Sequence, residues 1–323
     1  MINKIKLLKN NTYVMQIATL MSGTLIAQVV TLAFIPIITR LYTPEEFGLY
    51  SLFFSIVSII GLISSFKYDQ AIMLPKSDKD AQALVFLSLI ITLGMVLFVI
   101  IGLVVFNGFF IEYFSGNENF IWMIPIAVLI VGTLQIFNAY SSRNQFYKKL
   151  ATVKVTNSFI VAGTQSASKY FFKIDGLVVG KLIAEAISLV LILRFHLQKQ
   201  TLQLKNLSKK RMTINAKRHD NFPKYQSFTV FLNAISQNIP ILLFASLYSP
   251  EIAGFYALTV RALQVPVGLI GSSTKEVYYQ KACDKDKKHC FNLKYLYKKT
   301  SKKRKYKLDL FKIKEKKHYM LCV

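Results

Sequence analysis

Charged side chains are scarce over the first 275 or so residues, and the few inside apolar stretches are the ones that could do chemistry. Arg261 stands about nine residues into the run Ile252–Thr274. Lys181 and Glu185 lie one helical turn apart within Leu177–Arg194, and Arg40 closes the charge-free stretch that follows Lys9. A charge at the centre of a membrane helix costs about 2.5–3.5 kcal/mol even on the lenient insertion scale, so each such group needs a partner or a task. Glu185 can pair with Lys181 or with Arg261. Arg261 can instead offer its guanidinium fork to a diphosphate, which it would grip through two parallel hydrogen bonds. Lys181 reads first as a structural partner of Glu185. Arg40 could serve the same anion or sit at an interface.

Neutral polar residues recur at helical spacing inside the apolar runs. Thr24, Gln28 and Thr31 follow i, i+4, i+7. Asn157, Thr164 and Ser168 share one face, and Asn233, Ser236, Gln237 and Pro240 follow i, i+3, i+4, i+7. Polar groups that face lipid are expensive, so these faces should look into a bundle. There they either line a water-accessible cavity or join helices through hydrogen bonds worth about 0.6 kcal/mol each. Cys283, His289 and Cys290 could be drawn as metal ligands with His318 or Cys322, but no C-x-x-C pair occurs, and free thiols are expected rather than a metal site. No glycine-rich phosphate cradle is present, so neither a nucleotide cofactor nor ATP hydrolysis by this chain is expected.

The elements that would position these residues are set by where charge is missing. Apolar residues make up 53% of the 323-residue chain. No Asp, Glu, Lys or Arg occurs between Lys9 and Arg40, from Phe47 to Phe66, from Ala81 to Ile111, from Asn119 to Ser142, or from Tyr225 to Pro250. A helix needs about 20 residues to cross a hydrocarbon core of about 30 Å, and each window is long enough. Thr152–Phe172, Leu177–Arg194 and Ile252–Thr274 are less clean but fit by length and flanks. The expectation is an all-α membrane protein, a polytopic bundle of about eight transmembrane helices.

Basic residues then alternate by loop. Lys4, Lys6 and Lys9 precede the first span, and Lys67, Lys76 and Lys79 follow the second. Arg143, Lys148, Lys149 and Lys154 follow the fourth, and eight Lys and Arg residues run from Arg194 to Arg218. The intervening loops hold few, among them Glu112, Glu118 and Glu251. This is the positive-inside pattern, with both termini cytoplasmic. The net charge of +25 is therefore read as topological, not as a nucleic-acid footprint. The first apolar window is about twice the usual 7–15 residues of a signal-peptide core and reads as a retained anchor. The chain divides into a six-helix bundle (1–195), a basic cytoplasmic connector (196–224), two helices of a second bundle (225–274) and a basic tail (275–323).

Two stretches carry a resemblance. Phe34-Ile35-Pro36-Ile37-Ile38-Thr39-Arg40-Leu41-Tyr42-Thr43-Pro44-Glu45-Glu46-Phe47-Gly48-Leu49-Tyr50 and Lys67-Tyr68-Asp69-Gln70-Ala71-Ile72-Met73-Leu74-Pro75-Lys76 resemble the opening of the polysaccharide-synthesis exporters. These form the O-antigen flippase branch of the multidrug/oligosaccharidyl-lipid/polysaccharide exporter superfamily. Tyr248-Ser249-Pro250-Glu251-Ile252-Ala253-Gly254-Phe255-Tyr256 repeats the design of Tyr42–Tyr50, with Pro opening the turn and Gly allowing close packing.

The resemblance covers about residues 12–300. It implies a non-enzymatic flippase of the bacterial inner membrane that moves an isoprenoid-diphosphate-linked oligosaccharide by alternating access. Its cavity would be cationic, and its partners would be that lipid, the surrounding membrane lipids and other polysaccharide-assembly proteins. A drug or cation antiporter of the same superfamily is the first rival, though only Glu185 qualifies as the buried acid it would use. A membrane-embedded polymerase or glycosyltransferase is the second, and it should show a large outer loop or an acidic cluster. Where the family would begin a ninth helix, Arg304–Lys317 has a lysine nearly every second or third residue. The tail from about Ser301 is therefore expected to reflect truncation or a frameshift, with a polybasic membrane anchor as the alternative.

Overall fold

The computed structural model describes residues 12–114, 118–172, 176–199 and 208–263. The N-terminal lysines, the cysteines at 283, 290 and 322, His289, His318, the second half of the run from Ile252 and the tail lie outside them. All described residues fall within one compact unit, Met1–Val265.

Among the described residues the chain is helical, with no strand. Helix α1 (Thr12–Leu41) is followed by α2 (Pro44–Ile63), a short α3 (Tyr68–Ala71), α4 (Asp78–Val105) and α5 (Asn107–Tyr113). Then come α6 (Glu118–Arg143), α7 (Tyr147–Phe172), α8 (Gly176–Gln198) and α9 (Lys209–Arg218). A π-helical turn at Phe222–Gln226 leads into α10 (Ser227–Leu247), and residues 250–263 form α11. Six of these are long and apolar enough to cross a membrane: α1, α2, α4, α6, α8 and α10 with its leading turn. The chain is thus an all-α polytopic membrane protein. Helix α7 is as long, at 26 residues, but too polar to count on composition alone. It packs lengthwise between α1 and α8. At about 1.5 Å per residue it measures about 39 Å, enough to span with them.

The outer face of the bundle is apolar, as a lipid-facing surface requires. Large apolar side chains face outward on α4, with Leu97 61%, Phe98 71% and Ile101 62% exposed, whereas Ser88 and Thr92 are buried. Lipid is as apolar as leucine, so small and polar residues gain most from the helix interfaces. The main core lies between α2, α4, α6 and α8, around Leu52, Phe53, Phe120, Ile124 and Val178.

The ends of the bundle are fixed by polar joints. At one end the Thr-Pro-Glu-Glu sequence starts α2 with a capping box: Glu46 N donates to Thr43 Oγ1 (3.3 Å) and Thr43 N to Glu46 Oε2 (2.9 Å). The same carboxylate accepts Lys169 Nζ at 2.6 and 2.8 Å, and that ammonium lies 4.8 Å above the Tyr42 ring. Tyr42 Oη donates to Gln165 O at 2.6 Å. Burial first, then the Glu46 charge, pushes the Tyr42 hydroxyl up to about 12, so it remains a donor. At the other end Arg143, the last residue of α6, donates to Pro75 O (2.6 Å) and pairs with Asp78 (3.0 Å). The amphipathic α9 docks there on α4: Asn215 Nδ2 donates to Asp80 (3.3 Å), and Tyr68 Oη donates to Ala216 O (3.1 Å).

Candidate functional site: a cationic cavity within the bundle

Helices α1 and α7 present the same pattern to a shared space. Thr24, Ala27, Gln28 and Thr31 on α1, and Lys154, Asn157, Ser158 and Val161 on α7, each follow i, i+3, i+4, i+7 and line a cavity of about 330 Å³. This falls at the lower end of the range of about 300–1,000 Å³ usual for ligand cavities. Tyr50 of α2, Lys181 of α8 and Arg261 of α11 complete the lining.

Three of these residues are cations and none is an acid. Lys181 Nζ pairs with Glu185 Oε1 at 3.2 Å, one turn along α8. Among the described residues Arg261 and Lys154 have no carboxylate within ion-pair distance, and the recorded contact of the Lys154 ammonium is Thr24 Oγ1, at 3.4 Å. The Thr24 hydroxyl donates back along its own helix to Leu20 O (3.0 Å), which leaves its lone pairs for Lys154. Asn157 Oδ1 and Glu185 Oε2 are buried with no hydrogen-bond partner among the described residues. A buried acceptor left so is costly. Together the site offers two to three positive charges and hydroxyls beside a ring, which suits a polyanion with hydroxyls attached.

Of the residues singled out from sequence, Gln28, Asn157, Lys181 and Arg261 meet on this cavity. Glu185 stands behind Lys181 rather than on the lining. Arg40 is exposed at the end of α1, away from the cavity. Asn233 and Gln237 are exposed on α10 and bond to each other (3.3 Å). The α7 face divides: Asn157 looks into the cavity, whereas the Thr164 hydroxyl lies 2.7 Å from Gly180 O and Ser168 is buried. Gly180 explains the division, since a Cβ there would overlap the backbone of Gln165 and force α7 and α8 apart. The sequence groups Lys154 with the basic residues that follow the fourth span although it falls inside the expected span Thr152–Phe172; the helix begins earlier, at Tyr147, and carries Lys154 inward. The signal was present in the sequence: Lys154 stands i−3 from Asn157, on the same face.

A helical bundle with an apolar exterior and an open, cation-lined cavity defines a polytopic membrane protein. The chain belongs to a family of polysaccharide biosynthesis proteins, whose model matches residues 37–303, and its role lies in polysaccharide biosynthesis or export. No curated protein and no solved structure matches the chain.

Proposed function

We propose that this protein is a lipid-linked oligosaccharide flippase of the bacterial cell membrane. It would carry an isoprenoid-diphosphate repeat unit from the cytoplasmic to the outer leaflet by alternating access, without catalysing a covalent step. The observation that carries this reading is the cavity, where Lys154, Lys181 and Arg261 converge from three helices with no acid on the lining. A diphosphate takes the cations, the first sugar takes the amide and hydroxyls, and the isoprenoid chain stays in lipid. A cation antiporter would need a free acid on the lining, whereas Glu185 is already joined to Lys181. Both termini and the 194–224 connector would be cytoplasmic, from the loop charges.

Binding tests the reading directly. The purified protein in detergent should bind a short-chain isoprenyl diphosphate sugar more tightly than the matching monophosphate, and Arg261→Ala should weaken that binding by about tenfold, the equivalent of about 1.4 kcal/mol. Equal affinity for mono- and diphosphate, unaffected by Arg261→Ala, would remove the diphosphate from the account.

A further inference from the structure

The two turns that share one design in sequence touch each other in space with their roles exchanged. A Cβ placed on Gly48 of α2 would collide with the carbonyl of Pro250, and one placed on Gly254 of α11 would collide with the carbonyl of Pro44. Pro44 and Pro250 open the two helices, and each glycine stands four residues further on. Residue i of one helix therefore meets residue j of the other and j meets i, the signature of a local two-fold. The Gly254 Cβ would also stand 2.9 Å from Gly48 N, so the backbones cross with no room for a side chain.

The cavity lies directly beyond this crossing. Tyr50 follows Gly48 by two residues, and Arg261 follows Gly254 by seven, about 10 Å along the helix, and both line it. At the far end of the lining Lys154 is exposed. Helix α10 leans on the core through Ile241, Leu242 and Ala245 in its second half, while Phe228, Leu232, Asn233 and Gln237 in its first half are exposed. The backbone crossing thus closes the Pro44–Pro250 end, while the lining runs to the exposed Lys154 at the other.

We propose that the Gly48–Gly254 crossing is a gate that seals the Pro44–Pro250 end of the cavity and parts when the cavity opens to that side. Backbone meets backbone there, Leu258 of α11 packs one turn on against the cluster of Ile38, Tyr42, Phe47 and Leu177, and among the described residues no ion pair joins α2 to α11. Such a contact parts without breaking an ion pair, unlike the joint of Glu46, Lys169 and Tyr42 that ties α2 to α7 alongside it. A larger residue at either glycine would oppose the closed state and shift the population toward one open at that end.

The inference rests on the transporter reading above, but its test needs no substrate. In a chain with Cys283, Cys290 and Cys322 replaced by serine, Thr31→Cys reports the cavity and Ser249→Cys the Pro44–Pro250 surface. An impermeant maleimide is applied to intact cells and to inside-out vesicles. With both glycines present, Thr31→Cys should react only from the face opposite Ser249→Cys. Adding Gly48→Val or Gly254→Val should raise its reaction from the Ser249 face by about tenfold, the size of a modest population shift. Gly48→Ala and Gly254→Ala, the smallest obstructions, should raise it less and serve if the valine variants do not accumulate. Unchanged labelling in every glycine variant, or rapid labelling of Thr31→Cys from the Ser249 face with both glycines intact, would overturn the gate. Reaction of Ser249→Cys in inside-out vesicles alone would overturn the orientation proposed above, and the gate would then be read from the other face.

Discussion

Lys154, Lys181 and Arg261 differ in what each must give up to hold an anion. Arg261 is half-buried and has no acid within ion-pair distance among the described residues, so its fork is available. Lys181 must leave Glu185, which would then lie buried with neither oxygen partnered. Lys154 is held only by a 3.4 Å contact to a hydroxyl. The expected order of loss in transport is therefore Arg261→Ala, at about tenfold or more, then Lys154→Ala, then Lys181→Ala. Arg261→Lys should recover part of the rate, because an ammonium keeps the charge and loses the fork. Surface polysaccharide in a complemented strain, normalised to membrane protein level, measures each. Equal rates for Arg261→Ala and the native chain would make Arg261 structural.

At the scale of the helix, the Thr-Pro-Glu-Glu segment binds local and distant structure through one carboxylate. Glu46 completes the cap of α2 and accepts Lys169 from α7; Glu46→Gln keeps an oxygen for the cap but removes the charge that holds Lys169. A lost cap costs about 1 kcal/mol, and a broken, mostly buried ion pair leaves an uncompensated charge that costs more. Glu46→Gln should therefore lower the melting temperature in detergent clearly more than Thr43→Ala, which removes the cap alone. The local half of this joint was legible in the sequence, since a proline after threonine and two acids is a helix start. The distant half was not, because Lys169 read as a charge flanking the turn at Asp175-Gly176. The same limit misplaced Lys154. A lysine near a helix start looks like loop charge until the start is known, and α7 starts five residues earlier than its apolar run suggests. The apolar windows themselves were plain, because lipid leaves charge no stable place along them. Which polar face meets cavity and which meets a neighbouring helix depended on Gly180 and the approach it allows, a contact between helices that periodicity cannot show.

At the scale of the whole molecule, the proposed orientation rests on loop charge. Single cysteines at Asn117 and Ser249 should react with an impermeant thiol reagent in intact cells, and one at Asn206 should not. Reaction of the Asn206 position from outside would invert the topology. The central claim is movement of a lipid across the membrane, and reconstitution measures it most directly. Proteoliposomes would carry a fluorescent isoprenyl diphosphate disaccharide in both leaflets, and an impermeant quencher would be added outside. Without protein about half the signal should survive, whereas the native chain should let it fall toward zero and Arg261→Ala should slow that fall by about tenfold. A protected half that persists in the presence of correctly folded native protein would contradict the account.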